Sequence, residues 1–273
     1  MIGAPRAGTP RVGVPHIGKS DGSVGGGGVV TPLSFSGLAF WHNYSSVDNV
    51  TIDTGGISAG LDFSGQSRPV SQSTEANRPA HVTGVSGING LGAVSFAGSP
   101  DALLIDNATT MMTSMTSFTL GMVVRAVDWQ TGGFRLFTAN GAGVVRFLGA
   151  SLITTGRVRG QSRRLDAEPG LSVVDLTAAV LQNDTNHLIF IGVDWNNRLE
   201  FVDIDGTVLE ETASWGAGNS DATEANVAPR FGTSGAAQYT GLLGEDFGWS
   251  RYLTITERTA LRNDYVKPLW ATQ

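Results

Sequence analysis

Cysteine is absent from the 273-residue sequence, which excludes disulfide stapling, thiolate metal sites and a cysteine nucleophile. Histidine is scarce and scattered. His16, His42, His81 and His187 show neither H-x-x-x-H nor H-E-x-x-H spacing, so the pattern that sets two imidazoles on one helix face for zinc is missing. Charged residues make up only 15% of the chain, against ~25% in an ordinary domain. They sum to a net charge of −6, which argues against nucleic acid held by a broad basic surface. No apolar run approaches the ~18 residues of a membrane-crossing helix. Residues 1–18 also lack the ~7–15-residue apolar centre of a secretory signal. The expectation is a chain with no membrane partner, no nucleic acid, no secretion signal and no cofactor.

Glycine is what the sequence has in excess. Its 37 residues are about twice the ordinary ~7% share. With so little charge, this disfavours helical bundles and suits many strands joined by tight turns. The 10 prolines beside them and an apolar content of 41% leave the chain short of the ~25–30% Gly plus Pro of low-complexity disorder.

Residues 1–36 form a separate region, with nine Gly, four Pro and Phe35 as the one aromatic. A unit G-x-P-[R/H]-[A/V/I] repeats three times at period five, setting Pro5 before Arg6, Pro10 before Arg11 and Pro15 before His16. Proline at every fifth position fixes φ and removes backbone donors, which excludes helix and central strand but permits an extended path. Lys19 to Gly28 then ends in four consecutive glycines, a flexible tether. A cation paired with a small apolar residue at fixed offset fits a docking segment, so residues 1–36 are expected to anchor the chain to other subunits.

Residues 37–273 read as strands. Phe118, Leu120, Met122 and Val124 alternate with smaller or polar neighbours, with Val123 as the exception. His187 to Trp195 is apolar on both faces, as in a strand buried between two layers. Asn196-Asn197 turns the chain into 198–204, and Asp205-Gly206 turns it again into 207–213. Shorter strands are expected at 92–97, 101–105, 133–139, 143–149, 151–158, 227–232 and 238–249. Helix is expected at 175–183 and at 254–266, the latter opened by the capping box Thr254-Ile-Thr-Glu257 and stopped at Pro268. Turn signals about every ten residues point to an all-β, two-sheet antiparallel sandwich or jelly roll.

Several segments then fall in a familiar order. They are Trp41, QSTEANRP at 72–79, Ala93-Val-Ser-Phe96-Ala-Gly98, Ser117-Phe118-Thr119-Leu120, Val202-Asp203-Ile204-Asp205-Gly206, and 241–252 followed by Thr256-Glu257-Arg258. Their order resembles the laminin-G-like, concanavalin A-like lectin sandwich of bacteriophage and phage-like particle proteins, although Ala97 replaces the family's usual Asp. The resemblance implies a concanavalin A-like jelly roll over about 38–267, but not a chemistry, since this fold carries lectins and hydrolases alike.

Glycosidase branches of the fold need carboxylates on alternate residues facing a cleft. Here Glu210-Glu211 and Glu245-Asp246 are adjacent pairs that project to opposite faces, Asp205 reads as a turn residue, and no G-x-S-x-G elbow occurs. The expectation is therefore no enzymatic activity. For sugar stacking and hydroxyl recognition the candidates are Trp129 with Asp128 and Gln130, Trp195 with Asn196 and Asn197, and Trp215, each Trp at a strand end. Trp41 and Trp249 read as core. Arg157, Arg159, Arg163 and Arg164 form the one basic cluster, a candidate contact for an anionic polymer. Asp101, Asp106 and Asn107 are the oxygen donors from which the family's occasional calcium site would be built.

The resemblance implies a structural protein on the surface of a virion or phage-like particle, as head decoration, head spike or tail-associated protein, released by lysis. It would be held by its arm, display a lectin-like body to host-surface polysaccharide, and form a homo-oligomer, by analogy a trimer. A purely structural cement or adaptor subunit is the alternative, followed by a polysaccharide-degrading enzyme.

Overall fold

A computed structural model describes residues 29–98, 100–126, 135–141, 146–153, 156–165, 172–177, 181–220, 226–232 and 239–273. Two antiparallel sheets face each other across a core. The first holds β1 (Leu38–Asn43), β5 (Ala80–Gly84), β6 (Gly90–Ala97), β8 (Ser117–Ala126), β13 (His187–Asp194), β14 (Leu199–Ile204), β15 (Thr207–Thr212) and β17 (Thr240–Trp249). They run β15-β14-β13-β8-β17-β6-β5, with β1 paired beside β6 on the same flank of β17. The second holds β2 (Val50–Asp53), β3 (Gly56–Gly60), β4 (Val70–Ser71), β7 (Ala102–Ile105), β9 (Arg135–Gly141), β10 (Arg146–Ile153), β11 (Arg157–Ser162), β12 (Ser172–Leu176) and β16 (Asn226–Gly232). Its order is β12-β11-β10-β9-β16-β7-β4-β3-β2.

The first sheet is covered on both faces, and its sequence pattern follows from that. Phe118, Leu120, Met122 and Val124 of β8 enter the core between the sheets, together with Ile189, Ile191 and Val193 of β13. Val123, the exception to the alternation, packs on the other face with Leu188, Phe190, Phe247 and Trp249. That outer face is roofed by the C-terminal segment, in which α1 (Ile255–Ala260) passes into a wider i→i+5 turn (Leu261–Val266) and then α2 (Lys267–Trp270). Two glycines show why the composition is glycine-rich here. A Cβ on Gly244 would lie 2.7 Å from the Trp270 ring, and one on Gly192 would lie 2.1 Å from the Phe201 ring. Aromatic rings lie directly on the strands where no side chain stands.

The capping box forms as expected: Thr254 accepts from the Glu257 N–H while Glu257 accepts from the Thr254 N–H at 2.9 Å. Two expectations about helices are corrected. The helix expected from residue 175 begins instead as β12, because Val174 and Leu176 fill the core while Asp175 turns outward to Arg159. The C-terminal helix runs past Pro268 to Trp270. Pro268 sits in the first turn after the wide one, where a missing N–H costs least. The strands expected at 143–149 and 151–158 lie later, as β10 and β11. Gly149 and Ala150 continue the ladder opposite Thr138 and Phe137, and the chain turns at Gly156 with φ of 74°.

Of the amino-terminal region, residues 29–36 are described and lie on the body. Val30 and Phe35 pack against the outer core, and Arg251 Nε donates to the Ser36 carbonyl at 2.7 Å. The expected arm residues Pro5, Arg6, Pro10, Arg11, Pro15 and His16 fall outside the described residues.

Candidate functional site at one end of the sandwich

Burial decides first which polar groups are open to a ligand. β17 carries Glu245 and Asp246 on opposite faces, as adjacent strand residues must be, and both are wholly buried. Glu245 accepts from Trp41 Nε1 at 2.5 Å, Tyr265 Oη at 2.6 Å, Trp270 Nε1 at 2.6 Å and Asn43 Nδ2 at 3.0 Å. Burial pushes its carboxyl up to about 7 against that hydrogen bonding. On the other face Asp246 accepts from Tyr44 Oη at 2.9 Å and from His42 Nδ1 at 2.5 Å, while His42 Nε2 lies 2.7 Å from the Arg68 carbonyl. Both ring nitrogens of His42 lie within hydrogen-bond distance of oxygens, the Asp246 carboxyl and the Arg68 carbonyl. Burial pulls the His42 pKa down, but the Asp246 carboxyl beside the ring holds it above the ordinary histidine value.

The remaining buried acids are equally enclosed. Asp203 pairs with buried Arg258, whose guanidinium lies 3.8 Å over the Phe201 ring. Glu200 accepts from Ser162 Oγ at 2.5 Å and from Ser172 Oγ. These groups hold the fold together from inside.

The open polar surface gathers at the end where β1, β8, β13 and β17 meet. Asp62 builds its loop by accepting from the N–H groups of Trp41 (3.0 Å), Ser64 (2.9 Å) and Arg68 (2.9 Å), and from Ser64 Oγ (2.9 Å). Although burial pushes the Asp62 carboxyl up, these bonds hold it below its ordinary value. The loop presents Ser64, Gln66 and Arg68 to a groove of about 400 Å³, completed by Ser250 and by apolar Leu33, Phe35 and Met115. Arg68 Nη1 is fixed on the Ala39 carbonyl at 2.9 Å, the only guanidinium bond it makes among the described residues. Sequence inspection passed over this loop, although Asp-x-Ser-Gly at 62–65 is an Asx-turn signature.

Met115 joins the groove to the nominated loops. Its N–H donates to Ser220 Oγ at 2.7 Å, and the neighbouring Thr116 carbonyl accepts from the Trp195 N–H at 2.8 Å. Arg164 Nη1 reaches the Asn219 carbonyl at 3.5 Å, and Trp195 Nε1 donates to the Arg163 carbonyl at 3.1 Å. Arg163, Arg164, Asn196 and Asn197 thus share one end of the sandwich. Asn196 and Asn197 are exposed there, Asn197 donating to both oxygens of Asp194.

Other nominations change role. Trp195 and Trp215 are core residues at 0% and 3% exposure, so neither offers a face for stacking. The expectation is corrected because both rings pack into the core between the sheets, Trp195 held there by its N–H on the Thr116 carbonyl and its Nε1–H on the Arg163 carbonyl. Trp129, Asp128 and Gln130 fall outside the described residues. Arg157 and Arg159 lie along β11, away from Arg163 and Arg164, and Arg159 is held by Asp175 through two bonds of 2.6 and 2.7 Å. Asp101 and Asp106 stand at opposite ends of β7. Asp101 accepts from the Ala97 N–H, Asp106 accepts from Ser71 Oγ, and Asn107 donates to the Ser67 carbonyl. These three do not converge on one ion.

No protein-family model and no curated protein sequence matches the chain. Solved structures do. The chain is similar to Trypanosoma rangeli sialidase, with a TM-score of 0.59 and 16% identity over 88% of this chain and 34% of that one. The same sialidase in complex with sialic acid gives a TM-score of 0.58 at 14% identity, covering 88% and 35%. The binding domain of botulinum neurotoxin DC in complex with SialylT gives 0.53 at 9% identity, covering 84% and 51%. At these identities the likeness shows the fold, and the chain spans about a third of the sialidase chains. The expectation of no enzymatic activity is thereby corrected, since the fold occurs in chains that are sialidases.

Proposed function

We propose that the chain is lectin-like and binds acidic carbohydrate, of the carboxylated sialic-acid class, in the groove at this end of the sandwich. The observation that carries the reading is the groove lining: one fixed guanidinium, Arg68, among the hydroxyl and amide groups of Ser64, Gln66 and Ser250 and the apolar wall of Leu33, Phe35 and Met115. Arginine suits a carboxylate because its planar fork donates two parallel bonds, and hydroxyl and amide groups suit sugar hydroxyls. The Asn196–Asn197 turn and Arg164 extend the polar surface beyond the groove. Neighbours solved with sialic acid and with SialylT support this sugar class.

The test is ligand-observed NMR or calorimetry with sialylated and neutral oligosaccharides. Binding of the sialylated sugar that weakens tenfold or more in Arg68→Ala and in Gln66→Ala supports the reading. Absence of binding at millimolar sugar, or equal binding by both variants, overturns it. A sialoside-cleavage assay on the same samples extends the reading to hydrolysis if sugar is released.

The second part of the reading is attachment. The G-x-P-[R/H]-[A/V/I] repeat supports a role for residues 1–36 in anchoring an oligomeric, particle-borne protein that displays the sandwich to host glycans. If sedimentation finds the full chain and a chain starting at residue 29 in the same assembly state, this part fails.

A further inference from the structure

Five strands are sheet edges, β15, β5 and β1 in the first sheet and β12 and β2 in the second; the β1 edge is covered by the loop at 62–68, which bonds both the N–H and the carbonyl of Trp41. An edge strand exposes unpaired N–H and C=O groups that template another strand unless it is blunted. β12 has its acid, Asp175, engaged by Arg159. β15 carries Glu210 and Glu211, of which Glu210 already accepts from Tyr252 Oη at 2.5 Å. β5 presents no carboxylate. β2 is different. Its residues Ile52 and Asp53 are exposed, and Val47 and Asp48 just before it are exposed too. Leu61 joins the same border, its N–H bonded to the Asn49 carbonyl, and is 53% exposed. One edge therefore combines apolar side chains with two acids five residues apart that make no ion pair among the described residues.

The sequence holds a segment of matching chemistry. Between its prolines the repeat leaves four-residue stretches, Arg6-Ala-Gly-Thr9 and Arg11-Val-Gly-Val14, each a cation followed by a small apolar residue. Residues before proline are biased to extended conformations, which favours strand geometry in Thr9 and Val14. β2 is also four residues long. Prolines five apart cannot both turn their missing donors away from a partner strand, because neighbouring strand residues alternate in direction. Pairing is thus confined to one inter-proline stretch at a time, the length that β2 offers.

We infer that residues 3–18 dock on the β2 edge, one inter-proline stretch adding as an outer strand, its cation on Asp48 or Asp53 and its small apolar residue against Ile52 and Val47. This rests on the arm being a docking segment and is independent of glycan binding. The tether of about ten residues spans at most ~36 Å; the occupant is residues 3–18 of this chain, from the same molecule or a neighbouring copy.

Limited trypsin digestion of the full chain, read by mass spectrometry at early times, tests it. Cleavage after Arg6 and Arg11 should be at least tenfold faster in the Asp48→Lys/Asp53→Lys variant than in the wild type, and raised salt should accelerate the wild type only. Backbone amides of 50–53 should exchange faster with deuterium in the variant. Both acids are exposed, so the fold tolerates the change. Equal protection in wild type and variant overturns the β2 site while leaving arm docking standing. No protection in either overturns both. A monomer with a protected arm assigns the donor to the same chain, and an arm-dependent oligomer assigns it to a neighbour.

Discussion

Replacing Glu245 by Gln tests whether the outer core is pinned by a buried carboxylate. The ordinary glutamate value is 4.5, and burial raises it to about 7 in the folded chain. A folded value above the unfolded one means that folding binds the proton more tightly. The stability linked to Glu245 is thus fully present below about pH 4.5 and is lost as pH rises to about 7. At ~1.4 kcal/mol per pH unit, that window corresponds to about 3 kcal/mol. Gln removes this dependence and introduces a different defect. Its single carbonyl cannot serve Trp41, Trp270, Tyr265 and Asn43 together, and its amide N–H groups face the indole donors. Leaving a buried donor unpaired costs ~1–3 kcal/mol. Urea unfolding followed by tryptophan fluorescence at pH 5 and pH 8 separates the two effects. The variant should be less stable than wild type at pH 5, and the difference should shrink or reverse by about 3 kcal/mol at pH 8. The buried His42 pair acts with the same sign, because its raised pKa makes its stability fade above about pH 6.5. It is present in both proteins and leaves the difference between them unchanged. A difference that is constant across pH would refute the reasoning.

Two further outcomes follow from buried contacts. Arg258→Ala leaves buried Asp203 with only the distant Arg262 guanidinium at 3.9 Å and the Gly206 N–H as partners and removes the cation over Phe201, so it should destabilise by up to ~3–5 kcal/mol, measured as a fall in the denaturation midpoint. Thr254→Ala deletes half of the capping box and should cost ~1 kcal/mol, read as a small loss of thermal stability with the sheets' circular dichroism retained.

The fold was legible wherever one residue class answers one physical demand. Alternation in β8 gave the strand, and its exception at Val123 marks a sheet with two covered faces. The capping box located the start of the C-terminal helix. Its end was not legible, because the wide turn that accommodates Pro268 depends on packing against the first sheet. The site was less legible than the fold. Trp195 follows a strand and precedes Asn-Asn, which locally reads as an exposed loop ring. Its burial comes from loops remote in sequence, through bonds such as that from its N–H to the Thr116 carbonyl. Arg68 has the reverse history: it stands in an unremarkable loop, and its fixed position comes from Ala39, 29 residues earlier.

The low charge content looks at first like a lack of polar work, yet five charged residues, Glu200, Asp203, Glu245, Asp246 and Arg258, lie buried. Glu245 and Asp246 show what that placement achieves. Strand register is specified only where a slip is penalised, and a one-residue slip exchanges the two faces. For β17 the slip would carry Glu245 into the core against His42 and Tyr44, and would take Asp246, one methylene shorter, to the face where Trp41, Trp270 and Tyr265 wait for an acceptor. Aliphatic residues at both positions would tolerate the slip far better. Two adjacent acids with different partners on opposite faces therefore lock β1 and the C-terminal roof to one register of β17. The groove depends on that register, because Gly37 to Ala39, Arg68 and Ser250 meet only when β1 and the end of β17 are aligned.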